Sequence, residues 1–195
     1  MEVGKSTGRV LFGGRLVRWT AAQDPNAPGN SPNTDGIDVS DSSFVKIWNS
    51  NIGTGDDCIA INRGTSNINI TGINCGPGHG ISIGSLGENG AYETVENVRV
   101  SYSRFSGTTN GLRIKTFQGS GGVAIIGVTY LDVRGTSGTQ VAITFDCSPN
   151  KGCNNILMDT VNLKSPYTTC SAFCRNAKGR AKSVSPVVPC LNMLQ

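Results

Sequence analysis

The chain has 195 residues, 37% hydrophobic and only 15% charged, with 26 glycines and a formal net charge of +4. That length suits one domain with a real core, and the scarcity of charge argues against a helical protein and for short strands punctuated by turns. The positive charge is too mild and scattered for a nucleic-acid footprint and is compatible with an acidic polymer, and no apolar run is long enough for a membrane span.

In chain order, residues 1–30 show no repetitive pattern and read as an atypical N-terminal segment ahead of a domain over residues 31–195. The opening MEVGKSTGRVLFGG lacks the apolar core of a signal peptide, so the chain reads as a fragment. From there, alternating aliphatic pairs recur: Ile37 and Val39, Ile59 and Ile61, Ile81 and Ile83, Leu112 and Ile114, then Val141, Ile143 and Phe145. The first three begin 22 residues apart, and the next gap of 31 leaves room for a loop at SLGENGAYET. Further short alternating runs lie between them: FVKIW (44–48), INITGI (68–73), VENVRVSYSRF (95–105) and NILMDTVNL (155–163).

A period of about 22 residues with two or three short strands per repeat signals a solenoid, and no repeat has the spacing of a helical or leucine-rich unit. The expectation is an all-β parallel β-helix with Ile37, Ile59, Ile81 and Leu112 in one interior column. An antiparallel sandwich is the alternative, but it has no need of near-identical periods. Seven cysteines without paired C-x-x-C spacing point to disulfides rather than zinc, hence to an oxidising compartment. Cys147 and Cys153 can close a small loop, Cys58 and Cys75 can join neighbouring segments, and the odd count leaves one thiol over.

In a solenoid, period becomes neighbourhood. Asp35, Asp57 and His79, the only histidine, share one phase at 22-residue steps, with Asp56 one residue earlier. Outward positions place Asp38, Ala60, Ser82 and Arg113 in one column and Ser40, Asn62, Gly84 and Lys115 in the next. Three carboxylates, an imidazole and two cations therefore gather on one side. Taken singly, each has a bland reading: a solvated turn or cation site for the paired acids, a surface loop for the histidine, an exposed basic pair for the cations. Together they suit chemistry, because crowded carboxylates that share protons supply a general acid and a general base, as glycosidic hydrolysis requires. Gly78 and Gly80 would let a substrate approach the backbone beside His79.

NTDG (33–36), GDDC (55–58), GHG (78–80) and RIK (113–115) resemble, in order and spacing, the signature motifs of the polygalacturonase family. The longer wording SPNTDGIDVS and CGPGHGISIGSLG is similar to its plant members. The resemblance implies a right-handed parallel β-helix that hydrolyses α-1,4 links of polygalacturonate in pectin, with inversion and without metal or cofactor. It implies Asp56 as general acid, Asp35 and Asp57 as the acids that hold and deprotonate water, His79 as support for the acid's proton, and Arg113 and Lys115 as partners of galacturonate carboxylates. It also implies a monomer secreted to the cell wall. Two departures stand out: the family is roughly twice as long, and a coil bearing a substrate-binding tyrosine is missing after RIKTFQGSGG. Tyr130 belongs to a later coil and is not its replacement, and Cys170 is the expected odd thiol. A relative that binds pectin without cleaving it is the rival reading.

Overall fold

The structure, a computed structural model, describes residues 6–12, 15–21, 31–119 and 122–194, the first two stretches through their backbone pairing. The chain winds as a right-handed parallel β-helix. One face is a six-stranded parallel sheet of Ile37–Val39, Asp57–Ile61, Gly80–Leu86, Leu112–Thr116, Val141–Asp146 and Ser171–Arg175, in that order. We call it the cleft sheet. The second, broad sheet stacks Lys46–Ile52, Thr65–Thr71, Thr94–Thr108, Ala124–Ser137, Cys153–Lys164 and Ala177–Ser185 in parallel, with Asn74–Cys75 alongside and Asn192–Met193 at its end.

Aliphatic side chains at alternate positions turn inward and stack. Ile37 pairs with Ile59, Ile59 with Ile81, Ile81 with Leu112, and Leu112 with Ile143. The expected interior column is therefore present and runs one coil further. Branched residues suit these strands because they fill a pleated surface against same-face neighbours. Tyr130, fully buried, stacks on Phe145 in the interior with ring centroids 5.8 Å apart, so it faces no substrate.

The even period holds only at the start. Ile59 and Ile81 stand 22 residues apart, but Ile81 to Leu112 and Leu112 to Ile143 are 31 each. Later coils lengthen between the two sheets: Ile61 and Thr65 stand 4 residues apart, whereas their partners Ile83 and Val95 stand 12 apart, across the loop expected at SLGENGAYET. Strands such as Thr94–Thr108 also run through a corner without interruption. The corner is a column of left-handed residues: Asn49, Gly72, Tyr102, Asp132, Thr160 and Ser183 all have φ between 48° and 66°. A second corner aligns Asn67, Asn97 and Asn155 in the same conformation, and Asn97 Nδ2 donates to Asn67 Oδ1 at 3.4 Å. Asparagine tolerates this region and pairs its amide with the coil below.

The strand pairing within residues 1–30 departs from the winding. Ser6–Phe12 and Arg15–Ala21 form an antiparallel hairpin whose first strand pairs antiparallel with Lys46–Ile52. Cys58–Cys75, Cys147–Cys153 and Cys174–Cys190 are disulfides, and Cys170 is the thiol left over. No helix of the described residues is long and apolar enough to cross a membrane.

The stacked column sets a stability expectation. Ile81→Ala, at a site 2% exposed, should lower unfolding stability by about 3 kcal/mol, the usual range for such truncations. Ile126→Ala, at a position 44% exposed on the broad sheet, should change it by less than about 0.5 kcal/mol. Denaturant unfolding of the two variants checks the contrast.

Candidate active site

The acids and the histidine sit at the turns entering strands of the cleft sheet, and the two cations lie within one of its strands. Asp35 precedes Ile37–Val39, and Gly36 N donates to Asp57 O at 2.9 Å. Asp56 and Asp57 open the strand Asp57–Ile61, and His79 stands immediately before Gly80–Leu86. Arg113 and Lys115 alternate on Leu112–Thr116, Arg113 in register with Ser82 and Ser82 with Ala60, as the column reading expects.

The phase is displaced at one point. A register irregularity between Asp57 and Ile59 pairs Asp57 with Gly80, so His79 faces Asp56 rather than Asp57. His79 N donates to Asp56 O at 2.6 Å, and His79 Nδ1 lies 2.8 Å from Asp56 Oδ1. An extra residue in one strand of a parallel pair re-aims the side chains beside it.

Gly78 and Gly80 serve the backbone. With φ of 151° and 99° they hold a conformation that other residues resist. A Cβ at Gly78 would stand 2.8 Å from Asp56 O, and one at Gly80 would collide with Gly111 O of the next coil. The glycines let coils close up around His79.

Asp57 is buried, its side chain 3% exposed. Arg113 Nη2 donates to its Oδ1 at 2.6 Å, Ser82 Oγ to the same oxygen at 2.6 Å, and Lys115 Nζ to Oδ2 at 3.1 Å. Arg113 is further held by Ser82 Oγ at 3.1 Å and Asn110 Oδ1 at 3.2 Å. Both cations thus pair with Asp57. Asp56 is more open and accepts backbone N–H from Asn33 at 3.0 Å and from Asp57 at 2.8 Å.

Sequence reasoning missed the residues that hold these acids. Thr34 Oγ1 accepts from Gly55 N at 3.1 Å and donates to Ser31 O at 2.9 Å, while Thr54 Oγ1 donates to Thr34 O. Thr34 therefore ties the two acid-bearing turns together. Ser82 was legible as a column member but not as a ligand of Asp57, because that contact spans two coils.

The environments push two acids apart. Burial, then the nearby charges of Asp56, Asp38 and Asp57, raise Asp35 to about 6, against a weaker lowering by the Asp57 N–H. For Asp56, burial works upward too, but the N–H of Asn33, the His79 charge and the Asp57 N–H together outweigh it and hold the carboxyl below its ordinary value. Asp35 is the acid that holds its proton up to about pH 6, and Asp56 is the one that ionises more readily.

Asp56, Asp57 and His79 also bring one potential metal-ligand atom each within 4.8 Å of one another. The donor set fits a cation poorly: both Asp57 oxygens already receive a guanidinium or ammonium, and both Asp56 oxygens receive N–H groups. The arrangement handles protons and anions.

A sequence profile of glycosyl hydrolases family 28 matches residues 22–124 and 118–185, two stretches meeting where the tyrosine coil was expected. The chain is 43% identical to a polygalacturonase of Prunus persica over 84% of its own length and 51% of the relative's. With an exopolygalacturonase of Zea mays it shares 38% identity over 84% and 50%. The solved polygalacturonase of Erwinia carotovora superposes with a TM-score of 0.69 at 31% identity, over 86% of this chain and 48% of that one. The chain spans about half the length of the curated relatives it matches. The fold and the acid cluster define a right-handed parallel β-helix with carboxylates, an imidazole and two cations gathered on one sheet. More narrowly, the chain belongs to glycosyl hydrolases family 28.

The raised acid makes a pH expectation. Asp35 binds its proton more tightly folded than unfolded, so its contribution to stability is full below about pH 4 and is lost as pH rises through about 6. Asp35→Asn should therefore melt with the wild type at pH 4 and above it at pH 7, as thermal scans across that range would read. A gap that widens toward acid instead would refute the assignment.

Proposed function

We propose that the chain acts as a polygalacturonase, hydrolysing α-1,4-galacturonosyl links of pectin with inversion. The observation that carries this is the gathering of Asp35, Asp56 and Asp57 with His79, Arg113 and Lys115 on one sheet of a family 28 chain.

In the proposed reaction a galacturonate carboxylate enters beside Arg113 and Lys115. Both cations shift contacts from Asp57 to this substrate anion, the guanidinium offering a planar fork. Asp57 then loses donors and becomes a better acceptor, and with Asp35 it orients a water and takes its proton. The water oxygen attacks the anomeric carbon, the bond to the leaving oxygen breaks, and that oxygen takes a proton from Asp56. Asp56 is held below its ordinary value, so its proton arrives with substrate: the sugar buries it and adds a like charge, and both effects raise its affinity for a proton. His79, 2.8 Å away, relays it.

The raised Asp35 favours a second assignment in which Asp35 is the acid. Leaving-group chemistry separates them. Loss of a general acid matters most for a poor leaving group, so Asp56→Asn should reduce polygalacturonate turnover by at least about 100-fold and an activated aryl galacturonide far less. If Asp35→Asn shows that pattern instead, the roles exchange. Reducing-end release from polygalacturonate by the purified chain tests the function itself, and proton spectra of the first product test inversion. Retention of polymer without any release would favour the binding-only reading.

Three disulfides support secretion to an oxidising space such as the plant cell wall. The same reading takes the chain as a monomer that needs no cofactor.

A further inference from the structure

The broad sheet carries a second polar column away from the acids. Asn51 pairs with Asn74, Asn74 with Arg104, Arg104 with Arg134, and Arg134 with Asn162. All lie on the outer face, so their side chains rise in one line at about 4.8 Å per coil. Asn74 Nδ2 donates to Asn51 Oδ1 at 2.8 Å, which fixes the amide end of the line. Two recesses flank it and share Arg104. One, of about 380 Å³, is lined by Asn51, Asn74 and Arg104 with the backbone of Gly53 and Gly76. The other, of about 300 Å³, is lined by Tyr102, Arg104, Asp132 and Arg134.

Two like charges one coil apart repel, and only Arg134 is compensated, its Nε donating to Asp132 Oδ1 at 2.7 Å. Among the described residues no carboxylate pairs with Arg104. Tyr102, held out by the left-handed corner, is 60% exposed beside the guanidinium groups. An aromatic face suits the C–H face of a sugar ring, amides suit its hydroxyls, and guanidinium forks suit carboxylates. Neutral glycans need no such cations, and nucleic acid would require far more positive charge.

We propose that Asn74, Tyr102, Arg104 and Arg134 form a second, non-catalytic site for an acidic polysaccharide of uronate units, separate from the cleft. The choice of pectic polymer as occupant rests on the proposed function. The site would hold a distant part of the same chain and raise its effective concentration at the cleft.

The test measures Kd for polygalacturonate, for trigalacturonate and for a neutral galactan, with Asp56→Asn as the parent to prevent cleavage. Adding Arg104→Gln and Arg134→Gln should weaken polygalacturonate binding about tenfold at low salt, two exposed cations being removed. Trigalacturonate, too short to reach both sites, should bind the cleft as before, and the polymer difference should shrink at high salt. Arg104→Lys with Arg134→Lys, which keeps charge but loses the forks, should fall between. Unchanged polymer affinity overturns the proposal, as does equal loss for polymer and trimer or equal retention of the neutral galactan. Reducing-end release by the chain with Asp56 intact is read separately: its absence defeats the hydrolase reading while the polymer affinities still decide the second site.

Discussion

The site depends on one buried carboxylate. Asp57 stands on one coil, receives Ser82 from the next, and Arg113 and Lys115 from the coil after. A charge removed from water is tolerable only when paired and hydrogen-bonded, and here two cations and a hydroxyl meet it. Breaking such a network by removing one member typically costs on the order of 3–5 kcal/mol, because the remaining charge stays buried. The contacts that hold Asp57 therefore also fix three consecutive coils in register. Arg113 gains its direction from the same set, through Ser82 and Asn110. A change at Asp57 is structural as well as chemical, which is why Asp56 and Asp35 are the cleaner probes of mechanism.

Asp56 and Asp35 differ through their neighbours rather than their chemistry. Asp56 lies where the backbone N–H groups of Asn33 and Asp57 converge, opposite an imidazole. Asp35 receives a single N–H and faces three other acids. Pairs of titratable groups pushed apart in this way are how one site carries proton donor and acceptor together. In the proposed reaction an anionic substrate would bring its own charge, compete for Arg113 and Lys115, and redistribute the protons.

Much of this was legible in the residues. The interior column from Ile37 to Leu112 follows from spacing alone, since strands stacked in parallel must place equal phases together. The outward column of Ala60, Ser82 and Arg113 follows for the same reason. Phase failed where the backbone departs from regular pleating. The irregularity after Asp57 moved His79 onto Asp56, and no local residue preference announces such a shift. The extra length of later coils was legible as a loop at SLGENGAYET, but the corners inside the long strands, which turn at left-handed residues without breaking, were not. Asn67 and Asn97 hint at such corners, whereas Tyr102, Thr160 and Ser183 give no hint, since their conformation is imposed by the coils above and below. The contacts of Thr34 and Ser82 escaped notice because a hydroxyl's partner depends on angstrom-scale geometry that spacing does not encode.

The acids need to be held still, and the backbone does this. Gly53 and Gly76 end strands of the broad sheet three residues before Asp56 and His79 respectively. A Cβ at Gly53 would stand 3.3 Å from Gly76 O, and one at Gly76 would collide with Ser106 O. Three successive turns are therefore in direct main-chain contact, with no side chain between them to repack. The disulfide Cys58–Cys75 links the same two turns from the interior, and Thr34 clamps the first acid turn from the other side. Close-packed backbone transmits displacement instead of absorbing it. The acid-bearing turns thus form one wall, with Asp56 and His79 paired on it and Gly53 and Gly76 lining the recess beside Asn74 and Arg104. Preorganisation here comes from the stacking that builds the solenoid, so the site is as rigid as the coils themselves.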